Sequence, residues 1–118
     1  MKKALVVDDE EANRELLHKI LYKEGYEVDE AEDGKISLEM VKNKNYDIIF
    51  MDLTMPIMDG YEAIDEIRNN LQKSVSIIVV SANLDKESIK RIFKLGANDY
   101  LHKPYNLQTM LKILKENS

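Results

Sequence analysis

The 118-residue sequence contains no cysteine, so it can build neither a disulfide framework nor a thiolate metal site or thiol nucleophile. It also lacks any apolar run approaching the roughly 20 residues needed to cross a bilayer. The opening "MKKALVVDDE" starts basic, but its apolar stretch, Ala4 to Val7, gives way at once to acids, unlike a secretory signal. Positive charge is in short supply as well. The net charge of -5 argues against broad nucleic-acid binding, which relies on Lys and Arg to neutralise phosphates. No repeat, linker or low-complexity stretch interrupts the chain. What is present is ordinary for one globular domain: 44% hydrophobic residues, over a length that supports a core but not two of them. The expectation is a single cytoplasmic domain over residues 1–118, with no membrane and no direct nucleic-acid partner.

Short apolar runs alternate with segments of helical period. Ala4 to Val7 is the first strand, followed by a helix from about Glu11 with Leu16, Leu17, Ile20 and Leu21 on one face, and Gly25 in a C-cap position. "YEVDEA" alternates Tyr26 and Val28 with Glu27 and Asp29, the pattern of a half-exposed strand. Asp33-Gly34 turns into a second helix carrying Leu38 and Val41. The third strand, Ile48 to Met51, precedes a helix marked by Ile64, Ile67 and Leu71. "SIIVVS", Ser76 to Ser81, is the fourth strand, and its helix carries Ile89, Ile92 and Phe93 and ends at Gly96. A short strand from Asp99 to Leu101 leads through "HKP" to a helix with Leu107, Met110, Leu111 and Leu114 on one face, and "ENS" closes the chain just beyond it.

Alternation of this kind implies an α/β fold: a parallel sheet with right-handed crossovers and helices on both faces, a flavodoxin-like (βα)5 three-layer sandwich. Strands one, three and four are apolar throughout and suit the interior, whereas two and five are polar or short and suit the edges. That predicts the order 2-1-3-4-5. In such sheets ligands bind beyond the carboxyl ends of the strands where the order reverses, here between strands one and three. Strand one ends in Asp8 and Asp9, and strand three in Asp52. Three carboxylates at one spot raise one another's pKa or demand a cation, and a hard ion such as Mg2+ suits a few carboxylates plus a phosphate. Ser81 brings a hydroxyl to the same rim and Lys103 a point positive charge. Alone, each of the five reads as a turn former, a cap or a solvated charge. Together, at strand ends that one topology gathers, they are the parts phosphoryl transfer uses.

The segments "LVVDDEEAN", "DIIFMDLTMPIMDGYEAIDEIR", "IIVVSA" and "GANDYLHKP" resemble, in order and spacing, the receiver domain of two-component response regulators, a family known for the 2-1-3-4-5 order. The resemblance implies that Asp52 is the phosphoacceptor, taking a phosphoryl group from a phosphohistidine of a histidine kinase or phosphotransfer protein. It implies that Asp8, Asp9, Asp52 and the Thr54 backbone carbonyl hold Mg2+, or Mn2+ in its place. Lys103 is then the lysine that contacts the phosphoryl oxygens, Ser81 the hydroxyl that swings toward them, and Tyr100 the aromatic that changes rotamer. The Lys103-Pro104 bond is expected to be cis. Thr54 and Asn83 occupy positions that tune the lifetime of the acyl phosphate. Phosphorylation is expected to bias the face made by the fourth helix, fifth strand and fifth helix toward an output protein. The domain has no diffusible substrate of its own and only slow autophosphatase activity. The start and finish of the chain favour a stand-alone receiver.

Two other functions fit a related sheet. A Mg2+-dependent phosphohydrolase of the haloacid dehalogenase type also uses an aspartate nucleophile, but after strand one in a D-x-D motif, where this chain has adjacent acids. A flavodoxin-like FMN binder needs a Ser-, Thr- and Gly-rich loop there, and "DDEEAN" repels phosphate unless a cation intervenes. Lys86, Lys90 and Lys94 form a stripe on the fourth helix with Arg91 nearby. A solvated face is the ordinary reading of such a stripe, and docking of an acidic partner is the other. His18 and His102 read as surface or rim residues that no metal-ligand pattern joins.

Overall fold

The structure, a computed structural model, describes residues 1–117. Five strands alternate with five helices: β1 (Lys3–Val7), α1 (Glu11–Lys23), β2 (Glu27–Ala31), α2 (Gly34–Asn43), β3 (Ile48–Met51), α3 (Gly60–Asp65), β4 (Ser76–Ser81), α4 (Lys86–Leu95), β5 (Asp99–His102) and α5 (Leu107–Asn117). All neighbouring strands pair in parallel, in the order β2-β1-β3-β4-β5. This is the architecture expected from the charge and polarity of the strands.

Alternate residues of the central strands feed two cores. Leu5, Val7, Ile49, Met51, Ile77 and Val79 pack on one face with Val41 of α2, Ile64 of α3, Ile67 just beyond α3 and Ile92 of α4. Ala4, Val6, Ile48, Phe50, Ile78 and Val80 pack on the other with Leu17 and Leu21 of α1 and Met110 and Leu114 of α5. A strand buried on both faces reads as an unbroken apolar run, which is why β1, β3 and β4 were visible in the sequence. Three helices are opened by aspartate caps: Asp33 accepts from the Ile36 N–H at 2.8 Å, Asp59 from Glu62 at 2.9 Å and Asp85 from Ser88 at 2.8 Å. Each such cap is worth about 1 kcal/mol. Glu10, at the start of α1, makes no side-chain cap. Gly25 and Gly96 end α1 and α4 with φ of 89° and 117°, a left-handed region that only glycine enters at little cost.

Several expectations need correction. Leu16, Phe93 and Leu107 are 51%, 43% and 55% exposed rather than core residues. Successive helical residues are about 100° apart, so Leu17 and Leu21 facing the sheet turn Leu16 to the flank. Phe93 similarly leaves Ile92 to face the core and lays its ring edge-on to Tyr100, with centroids 6.1 Å apart. In α5 the inward set includes Ile113 in place of Leu107. That helix runs through Asn117, so "ENS" does not simply follow it, and Ser118 lies outside the described residues. The helix after β3 is also not uniform. It widens after Asp65 into a π turn, Glu66–Asn70, and Arg68 there donates to the carbonyls of Gly96 at 3.0 Å and Lys73 at 2.8 Å and to the Asn98 side chain at 2.9 Å.

Candidate functional site

The register of the sheet builds the site. Val7 pairs with Met51, so the next residues of the two strands, Asp8 and Asp52, emerge side by side, and the Asp52 N–H donates to the Val7 carbonyl at 3.0 Å. Asp9 follows Asp8 at the start of the loop. One carboxylate oxygen from each of Asp8, Asp9 and Asp52 lies within 4.8 Å of the others, with Asp8 and Asp52 buried and Asp9 exposed. Such a set of hard oxygen donors, one of them open to solvent, fits Mg2+.

From the other side of the rim, Ser81 pairs with His102, and the Lys103 N–H donates to the Ser81 carbonyl at 2.9 Å. This places the Lys103 ammonium 2.9 Å from Asp8 Oδ2 and 3.8 Å from Asp52 Oδ2. The Ser81 hydroxyl is buried at the end of β4 and accepts from the Asn83 N–H at 3.2 Å. The Thr54 N–H reaches Asp52 Oδ1 at a long 3.4 Å, and the Lys103-Pro104 peptide is cis, as expected. Tyr100 stands half-buried on β5 against Phe93 of α4. Asp8, Asp9, Asp52, Ser81 and Lys103, with Thr54 and Asn83 bonded beside them, thus lie at one end of the sheet, while Tyr100 pairs with Val79 further back along β5. His18 is not among them; it bonds Glu30 at 2.6 Å on the β2 side, and His102 is exposed.

Electrostatics mark Asp52 out. Burial and then the neighbouring Asp8 charge push its pKa up to about 6, against the pull of Lys103 and the Thr54 N–H. Burial alone would lower Lys103, but its hydrogen bond to Asp8 and the Asp52 charge outweigh that and hold it above its ordinary value. The site is short of positive charge, a deficit that a divalent cation would meet.

Comparison with known proteins now decides the family. Residues 4–115 match the family model of the response regulator receiver domain. The chain belongs to that family. The receiver domain is a phosphorylation-controlled module of two-component signalling, not a conventional enzyme. The chain is 36% identical to the chemotaxis protein CheY of Halobacterium salinarum over 115 residues, covering 98% of this chain and 95% of that one. Among longer relatives it spans less, 42% of one transcriptional regulatory protein. The structure of Vibrio cholerae CheY4 superposes with a TM-score of 0.93 at 32% identity, covering 100% and 99% of the two chains. TrrA of Thermotoga maritima, solved in complex with Mg2+-BeF, superposes with a TM-score of 0.89 at 36% identity over the full length of both. The haloacid dehalogenase alternative is not supported: the family is the receiver's, and Asp8, just after β1, is followed directly by Asp9 rather than by a D-x-D spacing.

Three features of the receiver site were not singled out in the sequence. Gly60 sits so close that a Cβ there would fall on the Asp52 carbonyl oxygen and lie 2.8 Å from the Leu53 Cα. Ile57 has φ of 70°, and the Met58 N–H donates to the Pro56 carbonyl at 2.8 Å, closing a γ-turn around it. Arg14 of α1 reaches back 2.8 Å to the Asp8 carbonyl. The glycine after "MPIMD" was a signal for the first. Nothing local signals the other two, because a γ-turn at isoleucine and a contact from helix to strand end are set by tertiary context.

Proposed function

We propose that residues 1–118 form a receiver in which Asp52 accepts a phosphoryl group from a phosphohistidine of a histidine kinase or histidine phosphotransfer protein. The Asp52 carboxylate oxygen attacks phosphorus in line with the departing imidazole. The P–N bond breaks, its electron pair stays on the imidazole nitrogen, and an acyl phosphate forms on Asp52. Asp8, Asp9, Asp52 and the Thr54 carbonyl would hold Mg2+, with Mn2+ accepted in its place. When bound, the cation neutralises charge on the transferring group. Lys103 and Ser81 meet the phosphoryl oxygens, and Thr54 and Asn83 at the rim set how fast water removes the group, a slow autophosphatase reaction. Tyr100 follows Ser81 and passes the change to the α4-β5-α5 face. The observation that carries this reading is the meeting of the three carboxylates with Lys103 at the switch point between β1 and β3.

No helix among the described residues is long and apolar enough to cross a membrane, and we place the domain in the cytoplasm with its kinase. The output partner is a protein that meets the α4 side of the domain. Lys86, Lys90, Arg91 and Lys94 are all exposed on α4, and none of the ion pairs among the described residues involves them. The stripe is therefore open to an acidic partner, the occupant we propose for it. Reversing Lys90 and Lys94 to Glu is expected to weaken its binding, and unchanged affinity removes the idea. The main test is incubation with Mg2+ and acetyl phosphate followed by intact-mass analysis. One phosphoryl group is expected on the wild type and none on Asp52→Asn. Equal labelling of the variant would refute the assignment.

A further inference from the structure

Asp9 is the exposed member of the acidic cluster, and its carboxylate makes no hydrogen bond among the described residues. Only the backbone of the β1–α1 loop aims it. The usual device for fixing such a loop, a side-chain cap at the start of the following helix, is missing, since Glu10 makes none. Arg14 takes its place. Its Nη1 donates to the Asp8 carbonyl at 2.8 Å, and its Nε donates to Glu30 Oε1 on β2 at 3.2 Å. Glu30 is held in turn by His18 at 2.6 Å from its other oxygen. The Arg14 side chain is only 15% exposed.

These bonds reach the peptide that joins the two metal-site acids. The Asp8 N–H is tied to the Ala31 carbonyl at 3.1 Å, and its Oδ1 accepts from the Glu10 N–H at 2.9 Å. Its carbonyl belongs to the Asp8–Asp9 peptide plane, and a rigid peptide plane carries Asp9 with it. The planar guanidinium serves a carbonyl and a carboxylate at once from fixed directions, which a lysine ammonium does not reproduce.

We propose that Arg14, braced by Glu30, is a positioning residue for the cation site: it fixes the Asp8–Asp9 peptide so that both carboxylates face Asp52. The inference rests on the metal-binding reading of the acidic cluster. Groups that orient metal ligands without touching the metal are typically worth about 10- to 100-fold in affinity.

Mg2+ affinity of the whole chain, measured by isothermal titration calorimetry, separates this role from a simple α1–β2 staple. Arg14→Met is expected to weaken Mg2+ binding about tenfold or more. Arg14→Lys keeps charge and reach but not the fork, and provides a folded variant with a smaller loss in the same direction. Glu30→Gln loosens the brace and is expected to weaken binding as well. In the metal-free protein, the Asp9 and Glu10 amide resonances are expected to shift or broaden in Arg14→Met. Lys44→Met is the control. It removes ion pairs to Glu27 and Asp29 on the same strand, and is expected to lower stability without changing Mg2+ affinity. Wild-type affinity in both Arg14 variants, or an equal loss in Lys44→Met, overturns the positioning role. A wild type that itself fails to bind Mg2+ overturns the metal-binding reading too, which distinguishes the two failures.

Discussion

Replacing Asp52 by asparagine is expected to stabilise the metal-free protein strongly near neutral pH and hardly at all in acid. The Asp52 pKa is raised from 3.8 to about 6, chiefly by burial and then by the Asp8 charge. The folded protein therefore holds this proton more tightly than the unfolded chain. Below the unfolded value both states carry the proton and Asp52 costs nothing. As pH rises through that value the unfolded chain ionises first, and folding stability falls until the folded group has ionised as well. At about 1.36 kcal/mol per pKa unit, the accumulated cost near pH 7 is about 3 kcal/mol. Asparagine keeps the shape and an acceptor for the Thr54 N–H but carries no charge.

For a domain of this size about 1 kcal/mol moves the melting temperature by about 4 °C, so Asp52→Asn should melt about 12 °C above wild type near pH 7. The gap should close toward about pH 4, where little ionisation separates the two states. Circular dichroism melts across this range in chelator make the measurement. Added Mg2+ should then raise the wild type more than the variant, because the variant has lost one of three carboxylates. A gap that stays constant across the range would refute the argument, since it would place the benefit of asparagine in packing and not in charge.

Other changes follow from the geometry around the site. Gly60→Ala sets a Cβ against the Asp52 carbonyl, and is expected to cost about 1–3 kcal/mol as overpacking, and to slow acetyl phosphate labelling by displacing Asp52; urea unfolding and mass labelling check the two parts. Ile57→Gly relieves a positive φ that is strained for a β-branched residue by about 1–3 kcal/mol and loses about 0.5–1 kcal/mol to glycine entropy, for a net gain of about 1 kcal/mol in urea unfolding. Arg68→Met abandons the carbonyls of Gly96 and Lys73, and a loss of about 2–3 kcal/mol in thermal unfolding is expected, with Mg2+ affinity untouched because Arg68 lies away from the strand ends that carry the acids.

The sequence announced the sheet because burial on both faces leaves a mark: "LVV", "IIFM" and "IIVV" are apolar without alternation, while "EVDEA" is not. That contrast alone ordered the strands, and the order alone brought Asp8, Asp9 and Asp52 together. The helices were less legible at their margins. Periodicity identifies a face but not its width, so Leu16, Phe93 and Leu107 were placed one position too far inward. Phe93 has a tertiary reason for its place, the edge-on contact with Tyr100. The π turn at Glu66–Asn70 had no local signal, because the Arg68 bonds that accompany it reach partners as far off as Asn98. Arg14 was hidden for the same reason. An arginine in the second turn of a surface helix is ordinary, and only the fold shows that it points back to the Asp8 carbonyl.

Lys103 would connect the resting geometry to the proposed switch. It is committed to Asp8 at 2.9 Å and stands 3.8 Å from Asp52, so its nearer partner is a residue that a bound cation would claim. Under the phosphoacceptor reading, added charge on Asp52 draws the ammonium inward. Closing the distance from 3.8 Å to about 2.8 Å is worth about 1.5 kcal/mol per added unit charge at an effective dielectric of about 20. That corresponds to about a tenfold change in an equilibrium constant. Only the difference between two states counts, so the charge acts on the output face to the extent that Lys103 cannot move alone. Its backbone is tied to the neighbouring strand: its N–H is bonded to the Ser81 carbonyl, Ser81 pairs with His102 of β5, and the Tyr100 ring of the same strand rests on Phe93 of α4. To the extent that the ammonium draws this backbone with it, the pull would reach α4, and a surface poised with its active form at about one part in ten would be brought to about half by this term alone.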